Sequence, residues 1–312
     1  MVNCVICNKE FKADKNLHFH IKAHKLSISE YYQSQFPRYD LYDKKIIKFK
    51  NKDQYLSADF NNKGNLKKWL KKAPLETAKR YCKALLTKRK REKELRYTPT
   101  EVELRTLMVP PIPYYQLMFG DYYALCEEIG FENKFSIFPK KSRAKERFSE
   151  DHVIYIDSRE QKPLRIEDFP TEVKGLKFGD YCLNDKKKTG NCYIERKSVP
   201  DLIGTLSSGL ERFEREIERA AEEKAYLVIL VERKMDDCLA FNKLRHVYKK
   251  NTRVTPDFIF HNVRYLIQKF PHIQFLFVKG REECVRVVKR ILLTSIPQKK
   301  FDLQLAYDLD LL

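Results

Sequence analysis

Apolar residues change their rhythm near residue 151. Beyond it, short apolar runs at 153–156, 193–194, 226–231 and 273–278 predict strands, two of them continuous enough to be buried on both faces of a sheet. Between these runs the spacing lengthens to that of amphipathic helices. Over 209–224, Leu210, Phe213, Ile217, Ala220 and Ala221 fall on one face and charges on the other. A second such stretch, 258–270, opens with Thr255 as N-cap and Pro256 at the first helical position. A third runs over 281–292. Strands alternating with helices over ~150 residues predict one α/β domain, placed at 152–292.

The chain before it is organised differently. Residues 1–25 hold all the closely spaced Cys and His, and 26–96 form a basic, partly helical region ending in a helical pattern from about 75 to 95. At 97–131 a small helix-turn-helix-like unit is expected, with Pro110, Pro111 and Pro113 splitting two short helical patterns. A polar, basic linker follows at 132–151, and a tail at 293–312 ends the chain.

Charge sharpens the contrast. The sequence carries 62 Lys+Arg against 43 Asp+Glu, a net +19; residues 1–150 hold 32 and 18 of these, residues 151–312 hold 30 and 25. A basic front half points to a polyanion, most commonly nucleic acid, against the plainer reading of a solvated surface. The longest strictly apolar run, 225–231, is far short of the ~20 residues a membrane span needs. Eight scattered cysteines and an opening without a basic-then-apolar leader predict an intracellular protein. Its compartment would be the cytoplasm in a bacterium or phage-infected host, and the nucleus in a eukaryote.

Cys4, Cys7, His20 and His24 follow the spacing C-x2-C-x12-H-x3-H. A hairpin can supply two thiolates and a helix two imidazoles one turn apart, which is a tetrahedral zinc set. Phe11 and Leu17 are the expected core of this unit, too small to fold without the metal. In ligands and core it resembles the C2H2 zinc-finger family. With a helix starting near Asp14, the base-facing positions would be Ala13, Asn16 and Phe19, of which only Asn16 has a donor–acceptor pair that suits adenine. Non-specific docking on phosphates by Lys12, Lys15, Lys22 and Lys25 is the competing reading, and Lys88, Arg89, Lys90 and Arg91 are further phosphate candidates. Residues 98–131 loosely resemble small helical repeats found beside homing endonuclease domains.

The back domain holds the catalytic candidates. Asp157-Ser158-Arg159-Glu160 follows the first strand, then come Gly179-Asp180 and Glu195-Arg196-Lys197-Ser198-Val199-Pro200-Asp201. Glu195 and Lys197 are two apart on a strand and so share a face. Residues 177–183 read as a separate strand-like segment that brings Asp180 alongside. An acid, a spaced Glu-x-Lys and a mixed sheet form the restriction-endonuclease-like arrangement, in which carboxylates hold a divalent cation against a scissile phosphate.

Gly179-Asp180, a gap, then Glu195-Arg196-Lys197-x3-Asp201 resembles the ERCC4-type nuclease domain of the XPF family of structure-specific endonucleases. The resemblance covers about 152–292. It implies Asp180 and Glu195 as principal ligands of Mg²⁺ or Mn²⁺ with Asp157 nearby, and Lys197 positioning the attacking water. It also implies Arg159 and Arg196 steadying the site or the phosphate, with Asp201 orienting its neighbours. Neighbouring carboxylates raise a lysine's pKa, so Lys197 suits positioning rather than proton abstraction. The implied activity is metal-dependent cutting of flap, fork or junction DNA, as in DNA repair and recombination. The alternatives are a sequence-directed endonuclease of homing or restriction type and a non-catalytic DNA-binding scaffold. Many relatives end in a tandem helix-hairpin-helix module that binds DNA and dimerises, for which about twenty residues after Leu292 are too few. That leaves a homodimer or an accessory protein open as partner beside DNA. Residues 234–255 read as a DNA-facing loop or a plain surface loop.

Overall fold

The computed structural model of the protein describes residues 2–37, 46, 48, 63–107, 109–135, 137–139, 152–185, 188–244, 254–293 and 300–312. Most of the expected linker, 140–151, and the middle of the basic 234–255 loop, 245–253, lie outside the described residues. Contacts divide the chain into two units, one of residues 1–94 and 107–122, the other of 95–106 and 123–312.

In the first unit, a two-stranded hairpin of β1 (Val2–Asn3) and β2 (Glu10–Phe11) precedes α1 (Asp14–His20). Helix α2 (Ile28–Gln35) follows, started by a capping box in which Ser27 and Glu30 satisfy each other's backbone amides. Tyr31 of α2 is fully buried with Cys4, Leu17 and Ile21. The Cys/His unit therefore has a larger core than Phe11 and Leu17, and it extends past residue 25. Helices α3 (Lys63–Lys72) and α4 (Leu75–Lys93) complete the basic region, α4 burying Ala78, Cys82 and Leu86. Around the three prolines lie three short helices rather than two: α5 (Glu101–Thr106), Ile112–Phe119 and Tyr122–Ile129. The middle one groups with the first unit; α5, and all of the third but Tyr122, group with the second.

The second unit is built on one six-stranded mixed sheet in the order β4-β3-β5-β6-β7-β8. These strands are β3 (His152–Asp157), β4 (Thr171–Lys174), β5 (Tyr181–Asp185), β6 (Lys188–Lys197), β7 (Tyr226–Val231) and β8 (Ile273–Phe277). β3 and β6 run antiparallel to β5, while β6, β7 and β8 are mutually parallel. Alternation along β7 fixes the layers. Leu227, Ile229 and Val231 meet α6 (Val199–Thr205), α7 (Leu210–Glu222) and α8 (Pro256–Lys269). Tyr226, Val228 and Leu230 meet α9 (Arg281–Leu293) and α10 (Leu303–Asp308). Each fully buried aliphatic or aromatic side chain adds ~1.5–3 kcal/mol of transfer free energy, so the central strands anchor the sheet. Among the described residues, no helix is long and apolar enough to cross a membrane.

Two segments read from the sequence as peripheral are structural parts of this unit. The first is 95–106: Glu101 N–H donates to buried Asp302, Gln268 donates to Glu103, and Arg105 bridges Asp236 and Asp308. The second is the tail. Gln304 of α10 is buried, with its amide accepting from Phe277 N–H at 2.8 Å and donating to Phe277 O at 3.3 Å. This side chain thus serves as a surrogate strand along the outer edge of β8. Gln274 returns the bond, accepting from Leu303 N–H. Gln304→Ala leaves the Phe277 N–H buried and unmet, and is expected to lower stability by about 1–3 kcal/mol, read from the urea midpoint.

Candidate active site and metal centre

The Cys/His set closes as its spacing predicts. Cys4, Cys7, His20 and His24 are the one group of three or more potential ligands found together among the described residues, all four atoms within 4.8 Å. Separations are 3.4 Å from Cys4 Sγ to His24 Nε2, 3.2 Å from Cys7 Sγ to His20 Nε2, and 3.1 Å between the imidazole nitrogens. Tetrahedral zinc bonded to two thiolates and two imidazoles demands about 3.3–3.5 Å for such pairs, so the residues fit the ion. Tyr31 contributes from α2: its hydroxyl accepts from Val5 N–H at 3.0 Å and hydrogen-bonds Cys4. Burial raises the Cys4 thiol, but the amides of Cys7 and Ile6 and this hydroxyl outweigh it, leaving the pKa below its ordinary value. Desolvation, His24 and Lys9 hold His20 below the imidazole range, which also suits a neutral ligand.

Lys12, Lys15, Asn16, Phe19, Lys22 and Lys25 are exposed around this centre, and α1 does begin at Asp14. The Lys22 ammonium lies over the Phe19 ring. On α4, Lys88 pairs with Glu92, and Lys88 and Arg91 are exposed.

In the second unit, Gly179 allows the acids to meet. Its φ is +58°, and a β-carbon there would lie 2.9 Å from the Ile194 carbonyl oxygen. Asp180 N–H donates to that same carbonyl, and Asp180 Oδ2 accepts from Arg196 N–H at 2.7 Å. Asp180 is thereby fixed against the end of β6, beside Glu195. Burial, then the charge of Glu195, pushes the Asp180 carboxyl up to about 7. Lys197 donates to Glu195 Oε1 at 2.6 Å and rests over the Phe213 ring of α7.

Four of the sequence candidates stand elsewhere. Arg196 projects to the opposite face of β6, where it binds Glu160 and Glu232 and is nearly buried. Alternation along a strand requires this: its neighbours Glu195 and Lys197 take the α7 side. Asp157 is 2% exposed, and its four acceptor positions are filled by Arg159 N, Nε and Nη2 and by Leu176 N. A carboxylate so occupied has no lone pair left for a cation, so Asp157 braces the 157–176 turn and Arg159 is its partner. Asp201 is exposed at the start of α6, hydrogen-bonded with the N-cap Ser198.

One acid escaped the sequence reading. Glu216 of α7 is half-buried, and burial, then the charge of Glu195, holds its carboxyl above the ordinary range. The signal was its place one helical turn from Phe213, on the flank of the buried stripe.

Residues 156–291 match the family model of the ERCC4 domain. The match spans the Gly179-Asp180 turn, the Glu195–Asp201 stretch and Glu216, but neither the Cys/His centre nor α10. Among solved structures, XPF from Aeropyrum pernix aligns at 19% identity and TM-score 0.32, covering 45% of this chain and 64% of that one. Its complex with DNA aligns at 20% and 0.33, covering 45% and 62%. The chain thus spans less than two thirds of either. At such identities and TM-scores, these structures say nothing of this chain's activity. No curated protein matches it.

Does the Asp180–Glu195 site fit a hard divalent cation? Among the described residues, Asp180 Oδ1 and Glu195 Oε2 accept no hydrogen bond, and two carboxylate oxygens plus water are a normal Mg²⁺ or Mn²⁺ environment. Burial, then the charge of Glu195, holds the Asp180 carboxyl high, and a cation would favour its ionised form. The donors fit.

Two measurements separate these roles. Asp157→Ala should cost about 2 kcal/mol or more in urea unfolding, because it orphans the Leu176 N–H and Arg159; Asp180→Ala orphans the Arg196 N–H but also removes a buried acid crowded by Glu195, and should cost less. Cys7→Ser should abolish binding of one zinc per chain, measured by atomic absorption after dialysis.

Proposed function

We propose that the ERCC4 domain is a divalent-cation-dependent DNA endonuclease that prefers branched substrates, brought to DNA by the basic first unit. One observation carries the reading: the Gly179 turn sets Asp180 against Glu195 and Lys197, on one sheet face, inside a segment that matches this family.

When bound, Mg²⁺ or Mn²⁺ would neutralise the scissile phosphate and favour ionisation of water. Asp180 and Glu195 would hold the ion. Asp180 is oriented by the Arg196 amide, so its geometry is set before substrate arrives. Lys197, whose ammonium is largely buried and charged against Glu195, would position water and offset charge on the phosphorus oxygens. Hydrolysis places the water oxygen on phosphorus and breaks the bond to the leaving sugar oxygen, which departs with a proton. Arg159 and Arg196 act through neighbouring carboxylates, as braces of the strand ends. In the first unit, zinc would hold the Cys4–His24 module in shape, leaving Lys12, Lys15, Lys22 and Lys25 to meet phosphates without reading sequence.

The test is cleavage of end-labelled flap, fork and plain duplex DNA with Mg²⁺. Cutting near the branch point is expected, falling more than about 100-fold in Glu195→Gln and Asp180→Asn while DNA binding persists. Site-restricted cutting of plain duplex would instead make the first unit a sequence reader, and unchanged cutting by both variants would overturn the assignment.

A further inference from the structure

Helix α1 and the 3-10 turn Ile21–His24 that continues it divide their residues between two faces. Leu17 and Ile21 are buried in the core, and His20 and His24 turn to the ligand cluster. Lys15, Phe19 and Lys22 follow one another at helical spacing on the opposite, exposed face, with Asn16 on its flank. At their centre the Phe19 ring is 77% exposed. The Lys22 ammonium lies over it, 5.6 Å from the ring centroid. Lys15 and Lys22 stand roughly 11 Å apart along the axis, one on each side of the ring.

A single exposed phenylalanine needs no explanation by itself. Its surroundings narrow the choice of partner. The ring leaves water only against another apolar or flat surface, while the amines beside it, with Lys12 and Lys25 at the two ends, call for a chain of anions. The acid in the first turn of α1, Asp14, sits at the helix start and leaves this face cationic. Duplex DNA keeps its base faces inside the stack and presents edges, and a phenyl ring has no donor or acceptor with which to read them. An unpaired strand presents phosphates and open base faces together.

We propose that Phe19 is a stacking platform for an unpaired nucleobase, with the Lys15 and Lys22 ammoniums on the phosphates to either side. This rests on the reading that the first unit meets DNA, and it names the feature recognised: the single-stranded arm of a branch. The base takes the ring surface that Lys22 leaves open. Every base has a π-face, so the contact tolerates any sequence and still separates unpaired from paired DNA.

Fluorescence anisotropy with the zinc-loaded full chain, without Mg²⁺ so that nothing is cut, tests this. The probes are a labelled fork, the same fork with abasic arms, and plain duplex. Phe19→Ala should weaken fork binding about tenfold and duplex binding less than about twofold. Abasic arms should cost the wild-type chain about tenfold as well, and the Phe19→Ala chain less than about twofold. Phe19→Trp should bind the fork as the wild type does, its added indole fluorescence quenched by the fork and not by the abasic form. Equal losses on fork and duplex in Phe19→Ala would make Phe19 a groove contact and overturn the proposal. An abasic loss that persists in Phe19→Ala would seat the base elsewhere and also overturn it. Fork binding unchanged in Phe19→Ala would overturn it too, leaving the ring to a protein partner and the DNA reading intact. A wild-type chain that binds neither fork nor duplex would sink the DNA reading and the stacking together. Zinc content identifies any variant that loses the module; if Phe19→Ala does, Phe19→Leu, apolar but without a π-face, replaces it under the same criteria.

Discussion

At Gly179 the backbone turns so tightly against β6 that the carbonyl of Ile194 occupies the space a side chain would need. From this approach the rest of the site follows. Asp180 N–H can reach that carbonyl, its carboxylate can reach the next amide along β6, and the side chain between them is Glu195. Two acids are held together by backbone bonds that neither can leave cheaply. The cost appears in the elevated Asp180 carboxyl. Lys197 offsets only part of the crowded charge, because its ammonium is already engaged at Glu195. A site in this condition favours a cation more than a relaxed one would.

The two faces of β6 make an instructive contrast. On the α9 side, Arg196 is bonded to Glu160 and Glu232, and Arg281 closes on Glu232 and on the carbonyls of Lys162 and Pro163. Charge and hydrogen bonding are satisfied there, so the network can hold the strand end but has little left to offer a ligand. On the α7 side, Asp180 is held against the end of β6 beside Glu195, and the one ammonium there, that of Lys197, is paired with Glu195. Asp157 with Arg159 repeats the saturated pattern at the end of β3. The same residue types within one motif thus divide into saturated groups and groups with free acceptor oxygens, according to which face of the strand each takes and how many partners it meets there.

That division explains what could be read from the chain. Period-two and period-3.6 patterns located the central strands and α7, α8 and α9, because those elements bury side chains on a regular stripe. The Cys/His cluster was legible because its spacing is itself a geometric constraint. β4 was missed: its four residues are exposed and carry no apolar alternation. α10 and 95–106 were missed for another reason. They are held by Gln304, Asp302, Glu103 and Arg105 through specific long-range hydrogen bonds, and nothing in a polar side chain's identity says which distant amide it will meet. The motif located Asp180, Glu195 and Lys197, while saturation of Asp157 depended on the amide of Leu176, nineteen residues away.

The Cys/His module shows the same dependence on added partners. A hairpin and one short helix bury too little to fold alone, so metal binding supplies folding free energy. Here α2 adds Tyr31, whose ring joins the buried cluster and whose hydroxyl reaches both the Val5 amide and Cys4. Packing and ligand geometry therefore share one side chain. Helix α2, held at its start by the Ser27–Glu30 box, carries Tyr31 against the Cys4 loop. The exposed lysines of α1 and its following turn are displayed on a unit that α2 stiffens and that a metal on the four Cys/His ligands would stiffen further. A stiff module carrying several cations loses little conformational entropy on meeting a phosphate backbone, which favours binding through position rather than through base identity.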